Sequence, residues 1–406
     1  MLDSLKGGPR PAGWRSDATF VGTLGMLLAI TPMAVDMYLP ALPTIGRALG
    51  ADQDRVQLSL SGFFLAFAVG QLVWGPIGDR YGRRGPSLVG LLLFVAGSAG
   101  CWLAGDALSL AGWRVVQALG AAASTVLARA MVRDVFDRDR SASVLSLMML
   151  VMGAAPMLAP VVGSQILKFA DWRAIFLLLG LLALMPLVPL LRQPETLPAE
   201  RRRAVGSSSV AGAYLRLLGD ARYLGYVAGG AGMLGAMFAY ISGTPFVYIE
   251  IFGVGPDMFS FLFGLNVAGM MAASYVNSRL VLRVGSDRAM RIGLVASVGF
   301  AAVLLAAGAT GAFGLFGIVV PLFLFLACMG LVAANAMAGA LADHPQIAGA
   351  ASALAGFAQF AVGALAGMLV AALADGTPVP MCATIFVLAA AGAVLNFLLV
   401  KPARAG

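Results

Sequence analysis

The sequence predicts an all-helical membrane protein with twelve transmembrane helices, and its composition and the length of its apolar runs carry that prediction. Of 406 residues, 60% are hydrophobic and 11% are charged, and the mean hydropathy is +0.90. A soluble domain has roughly 25% charged residues. Crossing a hydrocarbon core about 30 Å thick takes roughly 20 helical residues. Because backbone polar groups cannot stay unpaired in lipid, and the weak alternation of barrel strands is missing, each run is predicted to be a helix.

Twelve runs reach that length, and they are called spans 1 to 12 below. They cover residues 20–42, 57–78, 86–105, 108–130, 144–168, 172–191, 222–247, 257–279, 289–309, 313–340, 347–374 and 379–400.

The basic residues predict the orientation of the spans. Most of the 27 Lys and Arg residues fall on the side that holds both chain ends, while the loops of the other side hold Arg47, Arg55, Lys168 and Arg173. The positive-inside rule therefore places both termini in the cytoplasm. The net charge of +8 is explained by topology and anionic lipid. No nucleic-acid partner is expected.

A long polar stretch divides the chain into two halves. "RQPETLPAERRRAVGSSSV" occupies 192–210, and "RYGRR" at 80–84 is echoed by "RVGSD" at 283–287. Two six-helix halves with a site between them at mid-depth are an architecture that transporters use. The predicted division is an N-terminal tail, a first half, a cytoplasmic linker, a second half and a C-terminal tail, at 1–19, 20–191, 192–221, 222–400 and 401–406.

Two charged residues lie well inside predicted spans. Asp36 is the one acid of the 19 Asp and Glu residues so placed, and Arg114 is the one base. Both are expected on the order of 10–12 Å below the outer surface at 1.5 Å per residue. A centrally placed charge costs roughly 2.5–3.5 kcal/mol on insertion scales and usually marks a substrate or proton path. Equal depth permits contact between the two side chains without proving it.

Two interpretations of Asp36 follow. As a proton carrier, its proton affinity would depend on desolvation, on the distance to Arg114 and on any water-filled cavity. As a structural residue, it would form a static buried ion pair that fixes span 1 against span 4. With no other acid inside the membrane, proton coupling is the favoured interpretation.

"GPIGDRYGRRG" at 75–85 resembles the helix 2–3 signature of the major facilitator superfamily. Gly75 is expected to allow close packing, Gly82 to form the tight turn, and Asp79 to cap the N-terminus of span 11 near Ala348. Arg83 is expected to pair with Asp134. With Arg80 and Arg84 these residues would form a gating latch on the cytoplasmic side. The alternative for the arginines is positive-inside anchoring alone.

Two further segments resemble motifs of this superfamily. "RVVQALGAAAS" at 114–124 matches its helix 4 motif, and "GAAPMLAPVVGS" at 153–164 its helix 5 antiporter motif. Pro156 and Pro160 are expected to bend span 5 and contribute to gating, while Gly153 and Gly163 let it pack closely. Ala159 and Ser164 depart from the antiporter pattern, so this motif alone does not establish antiport.

Five pieces in order narrow the resemblance: "DMYLPALP" at 36–43, "WRAIF" at 172–176, "PFVYIEI" at 245–251, "NSR" at 277–279 and "AGAASALAG" at 348–356. Together they resemble the bicyclomycin-resistance (Bcr/CflA) family. The resemblance implies drug:proton antiport across a bacterial inner membrane, with bicyclomycin, amphenicols or sulfonamides as substrates. It maps the family's acid onto Asp36 and its arginine onto Arg114. It implies drug, protons and membrane lipid as partners, the proton gradient instead of a cofactor, and a working monomer.

The substrate-binding candidates are Asp36, Arg114 and polar or flexible residues near mid-helix. Met33 shares the face of Asp36, and Gln117 shares that of Arg114. The second half offers Tyr240, Phe246, Asn266, Asn335, Phe357 and Gln359. Methionine and aromatic side chains suit a promiscuous pocket, but packing or helix–helix hydrogen bonding explains most of these residues equally well. The sole histidine, His344, is expected to be solvated.

Other functions remain open at this stage. The same fold supports proton-coupled uptake or export of a small metabolite. A membrane-embedded enzyme would need paired carboxylates, a nucleophile–base pair or a metal cluster, and no such set is evident. A purely structural or receptor role would leave Asp36 and Arg114 unexplained.

Overall fold

The computed structural model describes residues 17–136, 138–198, 202, 207–344 and 347–400. Within these ranges the secondary structure is helical and contains no strand. Twelve segments are long and apolar enough to cross a membrane: Ala18–Leu49, Gln53–Tyr81, Arg84–Leu103, Ala107–Val135, Val151–Phe169, Arg173–Arg192, Ala221–Ile251, Pro256–Val284, Ser286–Thr310, Gly314–Ala342, Ala348–Ala372 and Val379–Leu399. These correspond one for one to spans 1 to 12, so the predicted fold class is confirmed.

Several spans are built from more than one helical segment. Span 1 consists of Asp17–Asp36, a 3₁₀ turn Leu39–Ala41 and Leu42–Leu49. Span 5 continues a helix that begins outside it, Arg138–Phe169, and span 6 comprises Arg173–Leu184 and Leu187–Arg192. Span 7 joins Ala221–Thr244 to a π-helical turn, Pro245–Ile251. Proline explains the breaks, because it lacks the N–H that continues the hydrogen-bond ladder.

The segments that join successive spans lie alternately at two opposite faces of the molecule. The face carrying the segment between spans 6 and 7 is called the linker face, and the opposite one the distal face. A helix at Ser207–Leu218 lies in the segment between the halves. The predicted tails, 1–19 and 401–406, and parts of the predicted linker lie outside the described residues, apart from 17–19, which begin the first helix. The residue limits proposed for the halves stay a prediction.

The two six-helix halves meet along spans 2 and 11 and along spans 5 and 8. Near the distal face polar contacts join them. Gln57 Nε2 donates to the Ser242 carbonyl (2.9 Å) and Ser260 Oγ to the Pro160 carbonyl (3.0 Å). Lys168 Nζ lies 2.6 Å from Asp257 Oδ2. The distal face is therefore the side on which the halves are bonded together.

At mid-depth the halves meet through aromatic rings. Phe64 of span 2 stacks on Phe238 of span 7 with ring centroids 3.9 Å apart. Phe67 contacts Phe360 of span 11 at 4.5 Å. Toward the linker face, the hydrogen bonds and ion pairs found among the described residues join groups within the same half, as in Arg222–Asp343. Among the described residues, the hydrogen bonds and ion pairs between the two halves thus lie near the distal face.

Candidate functional site

A cavity of about 400 Å³ lies between the two halves, with walls from spans 1, 5, 7, 8 and 10. Asp36, Tyr240 and Asn266 contribute polar groups to its wall. Asn266 Nδ2 donates to Tyr240 Oη at 3.1 Å. Four methionines, Met152, Met237, Met270 and Met271, supply much of the remaining wall. A mostly apolar cavity with few convergent polar groups is the usual form of a small-molecule site.

Asp36 is the charged residue of this cavity. It is buried, with 5% exposure, and it makes no hydrogen bond or ion pair with any residue in the described ranges. It is also the last residue of the first helix of span 1. Residue 40 is proline and cannot donate to the Asp36 carbonyl, which explains the break at this point. A carboxyl at a helix break and beside a cavity is open to exchange a proton or bind a ligand.

Arg114 lies at the depth of Asp36 but does not pair with it. Its guanidinium is fully buried, and Nη1 donates to the Ala34 carbonyl (2.9 Å) and to Gln117 Oε1 (2.6 Å). Gln117 in turn donates to Ser98 Oγ (2.8 Å). The expected similarity of depth is therefore observed, while the ion pair of the static interpretation is not present in this conformation.

Aromatic rings surround the Arg114 guanidinium. Its central carbon lies 4.3 Å from the ring centroid of Phe63, 4.8 Å from Tyr38 and 5.9 Å from Phe176. The negative face of an aromatic ring attracts a cation, more strongly when water is excluded. Arg114 is thus held inside the first half and does not line the central cavity. Its hydrogen bond to Ala34 connects it to the helix that carries Asp36.

The structure does not bring all predicted binding residues to one place. Met33 lines a separate apolar cavity with spans 3, 5 and 6, and Phe246 lines a cleft that also contains Glu250. Asn335 bonds to Ser286 Oγ and Asn277 Oδ1, both at 2.9 Å, which satisfies its amide within the second half. None of these three lines the cavity that contains Asp36, contrary to the expectation of one shared pocket.

Phe357 and Gln359 are half-buried on span 11. Gln359 lies close to Gly230 of span 7, where an added Cβ would be 3.1 Å from its Nε2. Neither residue lines the central cavity. Their predicted role in binding is therefore not supported by this arrangement, in contrast to Tyr240 and Asn266.

The signature loop after span 2 contains the predicted ion pair. Arg83 Nε lies 2.9 Å from Asp134 Oδ2, and Arg83 Nη1 lies 2.6 Å from Asp79 Oδ1. Gly82 has φ +91°, a conformation that favours glycine. Arg80 is exposed and lies over the ring of Tyr81. All these contacts are within the first half, and a gating role for them stays a prediction.

Two expectations about this loop are wrong. Asp79 makes no hydrogen bond to span 11 within the described residues, and its carboxylate is bound to Arg83 instead. Gly75 has no atom within 4 Å of the position of an added Cβ. The close approach is at Gly78, where that Cβ would lie 2.4 Å from Leu127 Cδ2.

Glu195, just after span 6, binds the same loop and was not singled out by sequence. Its carboxylate accepts the backbone N–H groups of Arg83 (2.7 Å) and Arg84 (3.0 Å), at the start of span 3. It also accepts from Thr196 and Leu197. Arg84 Nη2 donates to the Leu191 carbonyl. A carboxylate at a helix N-terminus is favoured by the helix dipole, so Glu195 fixes the end of span 6 to the signature loop.

Span 5 contacts both the cavity and the end of span 1. Pro156 and Gly153 line the central cavity, and the Pro160 carbonyl accepts the bond from Ser260 of the other half. At Gly163 an added Cβ would lie 2.0 Å from the Met37 carbonyl oxygen. The absence of a side chain there allows span 5 to lie directly against the segment that follows Asp36.

The methionine-rich wall has a sequence signal that was overlooked. Phe263, Asn266, Val267, Met270, Met271 and Ser274 all line the cavity. Their spacing of three and four residues is that of one helical face. Extending this period along span 8 from Asn266 identifies the whole stripe.

His344 is less solvated than expected. Its Nε2 lies 2.8 Å from Asp220 Oδ2, and the His344 side chain is 18% exposed. Asp220 also accepts the N–H groups of Arg222 and Tyr223 at the start of span 7. No group of three or more His, Cys, Asp or Glu residues suited to a metal ion occurs in the described part of the chain.

Two halves of six spans, with a small-molecule cavity between them, define the class of secondary transporters. A sequence profile of the Major Facilitator Superfamily matches residues 24–368, and this chain belongs to that superfamily. A solved D-xylose-proton symporter has the same fold, with a TM-score of 0.73 and 16% identity, covering 95% of this chain and 97% of that one.

Two relatives indicate which family within the superfamily this chain resembles. The chain is 35% identical to a bicyclomycin resistance protein homolog of Haemophilus influenzae, over 91% of this chain and 93% of the relative. It is 29% identical to a chloramphenicol resistance protein of Pseudomonas aeruginosa, over 84% of this chain and 81% of that protein. These matches confirm the resemblance to the bicyclomycin-resistance family drawn from the motifs.

Proposed function

We propose that this protein exports drug-like small molecules in exchange for protons, by alternating access across a bacterial inner membrane. The linker face is assigned to the cytoplasm, as the distribution of Lys and Arg predicts. Small, often uncharged compounds of the amphenicol or bicyclomycin type are the proposed substrates, because the relatives named for resistance to these drugs match over most of the chain. The protein is proposed to work as a monomer.

The observation that carries this proposal is the state of Asp36. It lies in the wall of the cavity and forms no ion pair with Arg114 or any other described residue, so no fixed cation holds it ionised. A carboxyl in this position is suited to take up a proton on one side and release it on the other. Asp36 is proposed as the proton carrier, and Arg114, with Gln117, as the group that positions it.

The contacts between the halves support an inward-facing conformation under this orientation. The distal face is bonded by Gln57–Ser242, Ser260–Pro160 and Lys168–Asp257. Substrate would enter the central cavity from the linker face. Rocking of the halves would break the distal contacts, expose Asp36 to the periplasm and allow protonation as drug is released. One proton moving down 100 mV provides about 2.3 kcal/mol, which supports about fifty-fold accumulation.

A transport assay in everted membrane vesicles tests this function. Vesicles containing the protein are energised to form an interior-acid pH gradient, and uptake of a radiolabelled amphenicol is followed. Uptake above that of vesicles without the protein, and its collapse when an ionophore removes the pH gradient, is the expected result. Amphenicol uptake that is unaffected by the ionophore would contradict proton antiport, and uptake driven by the reversed gradient would indicate symport instead.

A further inference from the structure

A second charged residue lies beside the central cavity, on span 4. Arg129 Nη2 lies 3.8 Å from Met152 Sδ, and Met152 forms part of the cavity wall. Arg129 Nε is buried without a hydrogen-bond partner. A thioether sulfur is a weak acceptor. Within the described ranges the Arg129 guanidinium therefore has no strong hydrogen bond, although it lies directly behind a wall of the proposed site.

The Arg129 side chain leans back along span 4. Side chains on a helix lean toward the helix N-terminus, and the N-terminus of span 4 is at the distal face. The stem of Arg129 therefore leans away from the nearer linker face. Its contact, Met152, is the second residue of span 5, Val151–Phe169, so the guanidinium lies at the linker-side end of the cavity wall.

No negative charge described near Arg129 compensates the positive charge of its guanidinium. The charged group that acts on it is Arg133, one helical turn further along, and the two repel each other. No carboxylate forms an ion pair with Arg129 in the parts of the chain that the structure covers. A charged side chain inside a membrane span is costly, and such residues are usually paired. An arginine that has no counterion among the described residues is suited to receive an acceptor from outside the protein.

We propose that Arg129 contacts the substrate and binds a carboxylate or another strong oxygen acceptor on it, with Met152 as a movable cover. The inference rests on the proposed export function and specifies the substrate class of the same cavity. Methionine has flexible torsions, so rotation of Met152 exposes the guanidinium to the cavity. Asp36 then offers the opposite charge in the same cavity. The cavity thus selects elongated molecules that carry a donor or cation at one end and an oxygen acceptor at the other.

A pair of dyes tests this assignment. Rhodamine B carries a cationic ring system and a free carboxylate, and its ethyl ester has the same rings without that carboxylate. Binding of each is measured by fluorescence anisotropy on protein solubilised in a neutral maltoside detergent. The variants are Arg129→Gln and Arg129→Lys, and the matched control is Arg133→Gln, since Arg133 is exposed on the same helix.

Wild-type protein is expected to bind the acid more tightly than the ester. A hydrogen bond to a charged group is worth about 1.5–3 kcal/mol, so Arg129→Gln should weaken binding of the acid by about tenfold or more and leave the ester unchanged. Arg129→Lys, which keeps the charge, should retain part of the preference, and Arg133→Gln, which removes a neighbouring exposed charge, should retain most of it. Because binding is measured without transport, this outcome does not depend on the direction of transport or on proton coupling.

Three results would overturn the assignment. The first is the absence of any preference for the acid in wild-type protein. The second is an undiminished preference in Arg129→Gln, and the third is equal weakening of both dyes, which would identify a structural role. Uptake of both dyes into everted vesicles is followed separately. A failure there, with the binding preference intact, counts against export and not against the role of Arg129.

Discussion

Arg114 is bound to span 1 through a backbone carbonyl and not through a carboxylate, and this determines its effect on Asp36. Nη1 bonds to the carbonyl of Ala34, in the last helical turn before Asp36. Gln117 and three aromatic rings hold the guanidinium in place. Arg114 therefore fixes the backbone on which Asp36 is carried, while the Asp36 carboxyl stays free to face the cavity.

Replacing Arg114 with lysine keeps the charge but removes the planar group that bonds to both Ala34 and Gln117. We expect Arg114→Lys to lower the rate of amphenicol transport by about tenfold or more, since a hydrogen bond to a charged group contributes about 1.5–3 kcal/mol. Transport into proteoliposomes is the measurement. Arg133→Lys, on the exposed surface of the same helix, is the control, and an equal loss in both variants would contradict the positioning role.

Gly163 lies in a tightly packed helix contact, whereas Gly75 does not. At Gly163 an added Cβ would overlap the Met37 carbonyl, whereas Gly75 has open space around that position. Overpacking costs about 1–3 kcal/mol, so Gly163→Ala should lower the melting temperature in detergent by several degrees. Gly75→Ala should leave it unchanged or slightly higher, because alanine has the better helix propensity. A lower melting temperature of Gly75→Ala would instead support the close packing at Gly75 that the sequence predicts.

At the scale of helices, composition and apolar length were sufficient to predict all twelve spans. The residues at which the spans end were harder to predict. Span 1 passes Pro43 and continues to Leu49, because proline at the first turn of a new helix is tolerated. Asp79 was predicted to cap span 11, but its carboxylate pairs with Arg83. The prediction of Asp36, Tyr240 and Asn266 as site residues rested on polarity at mid-helix, whereas Met33 and Asn335 needed the tertiary packing to be placed.

The fixation of span 6 to the signature loop depends on Glu195. Glu195→Gln keeps one acceptor oxygen but loses the charge at the N-terminus of span 3 and one of the two bonds to Arg83 and Arg84. The expected destabilisation is about 1–2 kcal/mol, read as a lower melting temperature in detergent. Glu250→Gln is the matched control, since Glu250 is exposed and has no hydrogen bond in the described structure. Equal melting temperatures of the two variants would refute this role.

The start of span 7 should show a dependence on pH. Burial alone would raise the pKa of Asp220, but hydrogen bonds from the Tyr223 amide, the His344 ring and the Arg222 amide together lower that pKa below its usual value. The stabilisation is therefore complete above the pKa of the unfolded chain, about 3.9, and is lost as the pH falls through the lower folded value.

The difference in melting temperature between wild-type protein and Asp220→Asn is the measurement of this effect. It should be largest near neutral pH and shrink below about pH 4. Asp54→Asn is the control, because Asp54 is exposed and has no described hydrogen-bond partner. A difference that grows on acidification would have the wrong sign for a carboxylate stabilised in its ionised form.

At the scale of the whole molecule, the two halves are joined by hydrogen bonds and an ion pair at the distal face, and in the described parts of the chain no such bond joins them at the linker face. If the halves rock during transport, linking Lys168 and Asp257 must arrest the cycle. A Lys168→Cys and Asp257→Cys double variant, joined by a short thiol cross-linker, should keep drug binding from the linker side and lose transport. The native cysteines, Cys101, Cys328 and Cys382, are buried, and each single variant with the reagent is the control. Full transport by the cross-linked protein would rule out rocking at this contact.

The central claim, that Asp36 carries the proton, is tested most directly in liposomes with an internal pH dye. Wild-type protein and Asp36→Asn are compared after an amphenicol is added, and drug binding is measured on both. Drug-dependent proton flux is expected in the wild-type protein and none in Asp36→Asn, with binding retained. Equal flux in the two proteins would contradict it and would leave Asp36 with a structural role in the wall of the cavity.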